Sequence, residues 1–276
     1  PRIVLGSISG FGQDGPYRRR PGFDQIAQGM GGLMSITGIP GQGPVRAGIP
    51  IADLTSGMYC AIGILIALLE RERSGEGQWI QTSLLQAQIS MLDFQAARWL
   101  VKGEVPAQAG NNHPTSIPTG VFQTKDGHIN IAASGDEMWD KLCRVLEIEG
   151  EPDFATAELR SKNREEVNRK IESVTVTKKS HDWIAILAEI GVPCGPIYTV
   201  DQVFDDPQVK HLEMEHSVNH PELGEIKLVG QPIKMDRYTS KKGTPTPRRG
   251  EHTDEVLLEF GFTVDEIKNL RLKNAV

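Results

Sequence analysis

Cysteine is scarce in this chain. Cys60, Cys143 and Cys194 are its three thiols, with no Cys-x-x-Cys pair, which excludes a disulfide scaffold and a structural zinc site and points to a reducing compartment, the cytoplasm. A positive charge excess is lacking too: 30 Lys and Arg stand against 36 Asp and Glu, a net charge of −6. That balance gives no electrostatic footprint for nucleic acid or an anionic membrane. The longest apolar run, 58–69, is interrupted by Gly63 and falls short of the roughly 20 residues a bilayer span needs, so no membrane helix is expected. An initiating Met is absent: Pro1 leads straight into a strand-like apolar pattern with no signal-peptide leader, and the chain reads as cut open at its start, with upstream sequence missing.

At 276 residues the chain is long enough for two modest domains, each with its own core. A short buried strand is predicted at 3–9, followed by a loop at 10–22 rich in Gly and Pro and a short small-residue helix at 25–34. The strongest helix signal is 54–73, apolar nearly all round, with Arg71 and Arg73 in its last turn and Gly75 just beyond. A strand at 78–82 and one helix over 84–100 complete a strand–helix alternation that implies α/β layering. Residues 103–118, aperiodic and centred on Asn111-Asn112-His113-Pro114, read as the linker between 1–102 and a second domain at 119–218. There, Asp126-Gly127 joins two alternating runs as a β-hairpin, and helices at 137–146, 165–177 and 181–190 end on Gly191-Val192-Pro193-Cys194-Gly195-Pro196. A strand at 225–229 and a helix pair at 254–260 and 263–272 occupy the last segment, 219–276.

Several residues invite a chemical reading. Gly10-Phe11-Gly12-Gln13-Asp14-Gly15 satisfies G-x-G-x-x-G, but Pro16 follows at once and Pro21-Gly22 soon after, so the helix that a dinucleotide site requires cannot start there. Asp53, just before the predicted helix, reads as its N-cap; the same geometry keeps a carboxylate ionised and available as a nucleophile, and position alone does not decide. His211, Glu213, Glu215 and His216 lack a metal-ligand spacing and read as solvated surface, so no metal is expected. Cys194 has no basic neighbour in sequence, and no Gly-x-Ser-x-Gly occurs. Arg18-Arg19-Arg20 is a basic corner, either solvated or a phosphate or partner contact.

The stretches Ser7-Ile8-Ser9-Gly10-Phe11-Gly12-Gln13-Asp14-Gly15-Pro16-Tyr17, Pro21-Gly22-Phe23-Asp24 and Gly48-Ile49-Pro50-Ile51-Ala52-Asp53-Leu54-Thr55-Ser56-Gly57-Met58 resemble class III CoA-transferases, the group of formyl-CoA and carnitine CoA-transferases. Gly75-Glu76-Gly77-Gln78, Gly191 to Pro196, Asp206-Pro207 and the run from Gly250 to Leu257 continue the likeness in order, over essentially the whole chain. The resemblance implies an α/β fold: an incomplete Rossmann-like CoA-binding large domain, a smaller α+β domain, and a C-terminal segment that returns to the first. It implies transfer of CoA from an acyl-CoA to a free carboxylic acid, with CoA as a substrate thioester, through an aspartyl anhydride and an aspartyl-CoA thioester. Asp53 matches the nucleophile; Pro21, Gly22, Phe23 and Asp24 match the segment lying against CoA, and Leu84 a further CoA contact. Arg46 and His113 are the candidates for contacts to a substrate carboxylate.

Family members form interlocked homodimers, and a dimer is expected. The related α-methylacyl-CoA racemases pair the aspartate with a histidine whose counterpart here is Phe23, which cannot transfer a proton. Racemase chemistry is therefore the alternative enzyme reading, and a non-catalytic CoA-binding fragment the alternative outside enzymes. Two departures stand out: the family's N-terminal portion, which supplies most contacts to the CoA nucleotide, has no counterpart, and the glycine run that shields the intermediate in formyl-CoA transferase is not evident, the region showing Asn111-Asn112-His113-Pro114 and Ser134-Gly135, so an oxalate–formate specificity is not expected.

Overall fold

Two parallel strands joined through a long helix form the front of the molecule. In the computed structural model, which describes residues 1–148, 150–237 and 243–276, β1 (Leu5–Ser9) pairs in parallel with β2 (Trp79–Ser83), Leu5 opposite Trp79 and Ser9 opposite Ser83. Between them lie α1 (Asp24–Met30), α2 (Leu33–Ile36) and α3 (Ile51–Ser74). Helix α3 packs on both strands, and Gly63 allows this closeness: a Cβ there would lie 2.7 Å from Ile80 Cγ2. It ends as its composition predicts, on Gly75 in the left-handed conformation with φ 79°, whose N–H donates to the Arg71 carbonyl.

Its start differs from the prediction. The helix opens at Ile51, three residues early, so that Asp53 is its third residue and Pro50 the cap position. The expectation of no apolar segment long enough for a bilayer is also corrected: α3 has 24 residues and an 18-residue stretch of mean hydropathy 1.8, enough by length and composition to cross one. Interspersed Gly and Thr broke the run in the sequence without breaking the helix.

The single helix expected over 84–100 is two, α4 (Leu84–Ser90) and α5 (Phe94–Lys102), broken where Asp93 takes a positive φ of 47°. Ser83 caps α4, accepting from the Gln86 N–H. Residues 103–118 carry neither helix nor strand.

Beyond them, β3 (Thr119–Gln123), β4 (His128–Ala132) and β5 (Cys194–Pro196) make a three-stranded antiparallel sheet in the order β3-β4-β5. The edge strand β5 follows Pro193 and ends on Pro196, prolines that an outer edge tolerates. Helices α6 (Asp136–Leu146), α7 (Ala157–Lys162), α8 (Arg164–Thr175) and α9 (Ser180–Glu189) bury Trp139, Leu142, Val167, Ile171, Trp183 and Leu187 with Phe122, Ile129 and Ile131 of the sheet. Asp126 of the hairpin turn caps α9, accepting from the Ser180 N–H at 2.7 Å.

All of this belongs to one compact unit, Pro1–Ile197. A second unit, Tyr198–Val276, holds α10 (Val200–Asp205), α11 (Pro207–His211), the hairpin β6 (Glu215–His220) and β7 (Gly224–Val229), α12 (Thr253–Glu259) and α13 (Val264–Leu272). The Asp206-Pro207 pair has a local reason: Asp206 caps α11, accepting from the N–H groups of Gln208 and Val209, and Pro207 fills the first helical position.

Candidate active site

The carboxyl ends of parallel strands are where open α/β layers bind ligands. Here β1 runs out into the loop 10–22, and β2 runs directly into α4. The Leu85 N–H donates to the Gly10 carbonyl at 3.2 Å and ties the two exits together. Ala27 of α1, Ala52 of α3 and Leu84 of α4 form one buried cluster, so the first turns of three helices converge beside this edge.

Asp24 organises the convergence. Its carboxylate is nearly buried and accepts from the Ala52 N–H at 2.9 Å, thereby capping α3 from a residue 28 positions upstream. The other oxygen accepts from Gln28 Nε2 at 2.7 Å and pairs with Arg46 Nη2 at 3.5 Å. Gln28, fully buried, also donates to the Ile49 carbonyl and accepts from the Ala47 N–H, clamping the segment that leads into α3. Gln28 is the residue that the sequence reading missed. Its signal, a Gln four residues after an Asp, is an ordinary helix spacing and becomes informative only once the 47–49 backbone is seen against it.

Asp53 has the opposite character. It is the acidic residue in the first turn of α3, its side chain is exposed, and among the described residues its carboxylate makes no hydrogen bond or ion pair. A carboxylate without a partner, next to a backbone that Asp24 holds in place, is placed where it could act as an oxygen nucleophile. Asp53 is thus not the cap; Asp24 is, and Asp53 is left unencumbered.

The remaining candidates divide. Phe23 is 75 % exposed at the N-cap of α1, with Pro21 exposed and Gly22 half-buried before it. Leu84 turns its side chain into the buried cluster, leaving its backbone at the start of α4. Arg46 belongs to this locale through Asp24, with its guanidinium partly exposed.

His113 lies elsewhere on the unit. Its Nδ1 accepts from the Thr115 and Ser116 N–H groups, its ring stacks on Phe94 at 5.4 Å, and it borders a cleft of about 570 Å³ with Asn112, Asn130 and Cys194. Burial pushes the Cys194 thiol up, which keeps it protonated and a poor nucleophile. Among the described residues no group of three or more His, Cys, Asp or Glu could hold a metal ion.

The site brings together a βαβ exit edge, three converging helix starts and an exposed aspartate. The chain belongs to the family described as CoA-transferase family III, which matches residues 1–253. It is 33 % identical over 262 residues to a mouse protein named succinyl-CoA:glutarate CoA-transferase, covering 94 % of this chain and 60 % of that one. To the succinate–glutarate CoA-transferase of Agrobacterium fabrum it is 36 % identical, with 94 % and 66 % covered. A crystal structure of a CaiB/BaiF family protein from Brucella suis superposes with a TM-score of 0.80 at 36 % identity, covering 94 % of this chain and 68 % of that one. The chain spans less than two thirds of the length of these two curated relatives.

Proposed function

We propose that this chain carries the aspartate-bearing part of an acyl-CoA:carboxylate CoA-transferase, with Asp53 as nucleophile. The observation that supports this most is the free, exposed carboxylate of Asp53 in the first turn of α3, beside an Asp24 wholly engaged in holding that turn. The Asp53 carboxylate attacks the donor thioester carbonyl, the C–S bond breaks, and CoA thiolate leaves a mixed anhydride. Thiolate then attacks the Asp53 carbonyl of the anhydride, releasing the donor acid and forming an aspartyl-CoA thioester. The acceptor carboxylate attacks that thioester and expels thiolate, giving a second anhydride; thiolate attacks its acceptor carbonyl, and Asp53 leaves as carboxylate. No net proton or electron is exchanged, so the protein's tasks are to position, to stabilise oxyanions and to exclude water.

The names of the relatives suggest succinyl-CoA as donor and a short dicarboxylic acid as acceptor, with Arg46 as the cation for a carboxylate. Pro21, Gly22, Phe23, Asp24 and the start of α4 at Leu84 line the path of CoA. The exposed apolar side chains of α3 and α5, among them Leu65, Ile66 and Leu100, suit burial against a second copy, and the active species is a homodimer, to be checked by sedimentation. Phe23 offers no proton, so exchange of the α-proton without an acceptor is not expected.

Mass spectrometry after incubation with succinyl-CoA and hydroxylamine tests the reading. A hydroxamate on Asp53 is expected, and Asp53→Ala should cut transfer by roughly a thousandfold or more. Ordinary transfer by Asp53→Ala would refute it.

A further inference from the structure

The stretch 103–118 does more than connect the front to the small α+β part. Two backbone carbonyls of the loop that leads toward α3, those of Thr37 and Gly43, converge on one of its atoms, Gln108 Nε2, each at 2.7 Å. Two acceptors need two hydrogens, and a primary amide supplies both from a single nitrogen. Gly38 makes room for the approach: its φ is 119°, and a Cβ there would lie 2.8 Å from Gln108 Nε2. The Gly110 N–H adds a third tie, donating to the Gly38 carbonyl at 3.0 Å, and the Val45 N–H closes the loop on the Thr37 carbonyl. On its other side the same stretch is fastened to the well-filled core. Arg164 Nη2 donates to the Pro114 carbonyl at 2.6 Å and Asn168 Nδ2 to Asn112 Oδ1 at 2.9 Å, and both residues stand on α8, whose Val167 and Ile171 are fully buried.

Loop 37–49 therefore has a clasp at each end. Asp24 and Gln28 hold Ala47, Ile49 and Ala52 at its exit into α3, and Gln108 holds Thr37 and Gly43 at its entry. Apolar packing does not fix the loop, since Ile39, Val45 and Ile49 are all exposed. We propose that Gln108 is a positioning residue for Asp53, an inference that rests on the nucleophile reading above. Polar contacts and short covalent steps run without a gap from α8 through Gln108 and the loop to the first turn of α3, so the rigid core sets the place of a carboxylate in the loosely packed front. Gln108 acts on that placement and not on the binding of CoA.

Three substitutions test this. Gln108→Glu keeps the shape but turns a carboxylate toward two carbonyls, Gln108→Ala removes the clasp, and Gln108→Lys changes the shape but restores a nitrogen with hydrogens to donate. In the 276-residue chain, formation of the Asp53 hydroxamate at saturating succinyl-CoA should slow roughly tenfold in Gln108→Glu, less in Gln108→Ala, and recover in Gln108→Lys, while the succinyl-CoA concentration for half-maximal rate stays the same. Amide hydrogen exchange gives a readout independent of activity. The Val45, Ala47 and Gly110 N–H groups should lose protection in the Glu and Ala variants and regain it with Lys, and those of β4 should not change. If Gln108→Glu does not fold, Gln108→Ala carries the same test. Unchanged protection at Ala47, or a normal hydroxamate rate in a variant that has lost that protection, overturns the positioning role. An unaltered chain that forms no hydroxamate, with Ala47 still losing protection in the variants, overturns the nucleophile reading and leaves the clasp standing.

Discussion

The front of the first unit and its small α+β part use apolar residues in opposite ways. In 117–192 the sheet and helices enclose large side chains completely: Ile129, Leu142, Ile171, Trp183 and Leu187 are each 0 % exposed. In 1–105 the buried apolar residues are mostly small, Ala27, Ala52, Ala67 and Ala87, while Leu69, Leu100 and Val101 are 73–80 % exposed. The front is held by polar ties in place of a core. Asp24 and Gln28 fasten α1, the 47–49 segment and α3 together, and tight glycine contacts bring α3 onto β2. An apolar helix with an uncovered face and a polar clasp at its start keeps the position of Asp53 independent of whatever covers the rest.

The largest expected effect tests the contrast directly. Ile129→Ala should destabilise the chain by about 2–5 kcal/mol, whereas Leu69→Ala should fall within about 0.5 kcal/mol, both measured by urea unfolding. Equal losses would mean that the front has a core after all. Next in size, Asp24→Ala strands the Ala52 N–H and takes one partner each from the Gln28 amide and Arg46, and should cost about 1.5–3 kcal/mol. Because it also loosens the turn that carries Asp53, the proposed transfer reaction should slow more than for a surface change of similar stability cost, and Asp24→Asn should recover part of both.

Much of this was legible before the fold. Gly75, the Asp126-Gly127 turn and the break at 191–196 are local signals, and each sits where local chemistry requires it. What escaped was decided at long range. Asp53 read as a cap because nothing in sequence shows that a carboxylate 28 residues before Ala52 takes that position. The break between α4 and α5 falls at Met91, Leu92 and Asp93, with no Gly or Pro to mark it, and Asp93 is one of the residue types that tolerate a positive φ. His113 was named with Arg46 as a candidate contact to a substrate carboxylate, and its ring stacks on Phe94 while its Nδ1 is taken by the Thr115 and Ser116 N–H groups.

Gln88 sharpens the contrast further. It is fully buried on α4 against Gly31, and neither its Oε1 nor its Nε2 has a hydrogen-bond partner among the described residues. Replacing a stranded amide with an apolar side chain of similar length removes a desolvation penalty, so Gln88→Met should raise stability by about 1 kcal/mol. A loss instead would show that the amide is satisfied in solution.

The smallest effect concerns pH and the opposite region. The Ser180 N–H, above all, with help from the Ser180 and Thr124 hydroxyls, holds the Asp126 carboxyl below its ordinary value. A carboxylate with a depressed folded pKa adds stability that is complete above its unfolded value, near 3.9, and is lost as the pH falls through the folded one. Asp126→Asn lacks this contribution at every pH. The stability difference between the unaltered chain and the variant should therefore be constant from about pH 7 to pH 5 and shrink below about pH 4. Urea midpoints across that range measure it, and because Asp126 caps a helix of the well-filled core, the change should come as a shift of one cooperative transition. A separate early transition would place the capped helix outside that core.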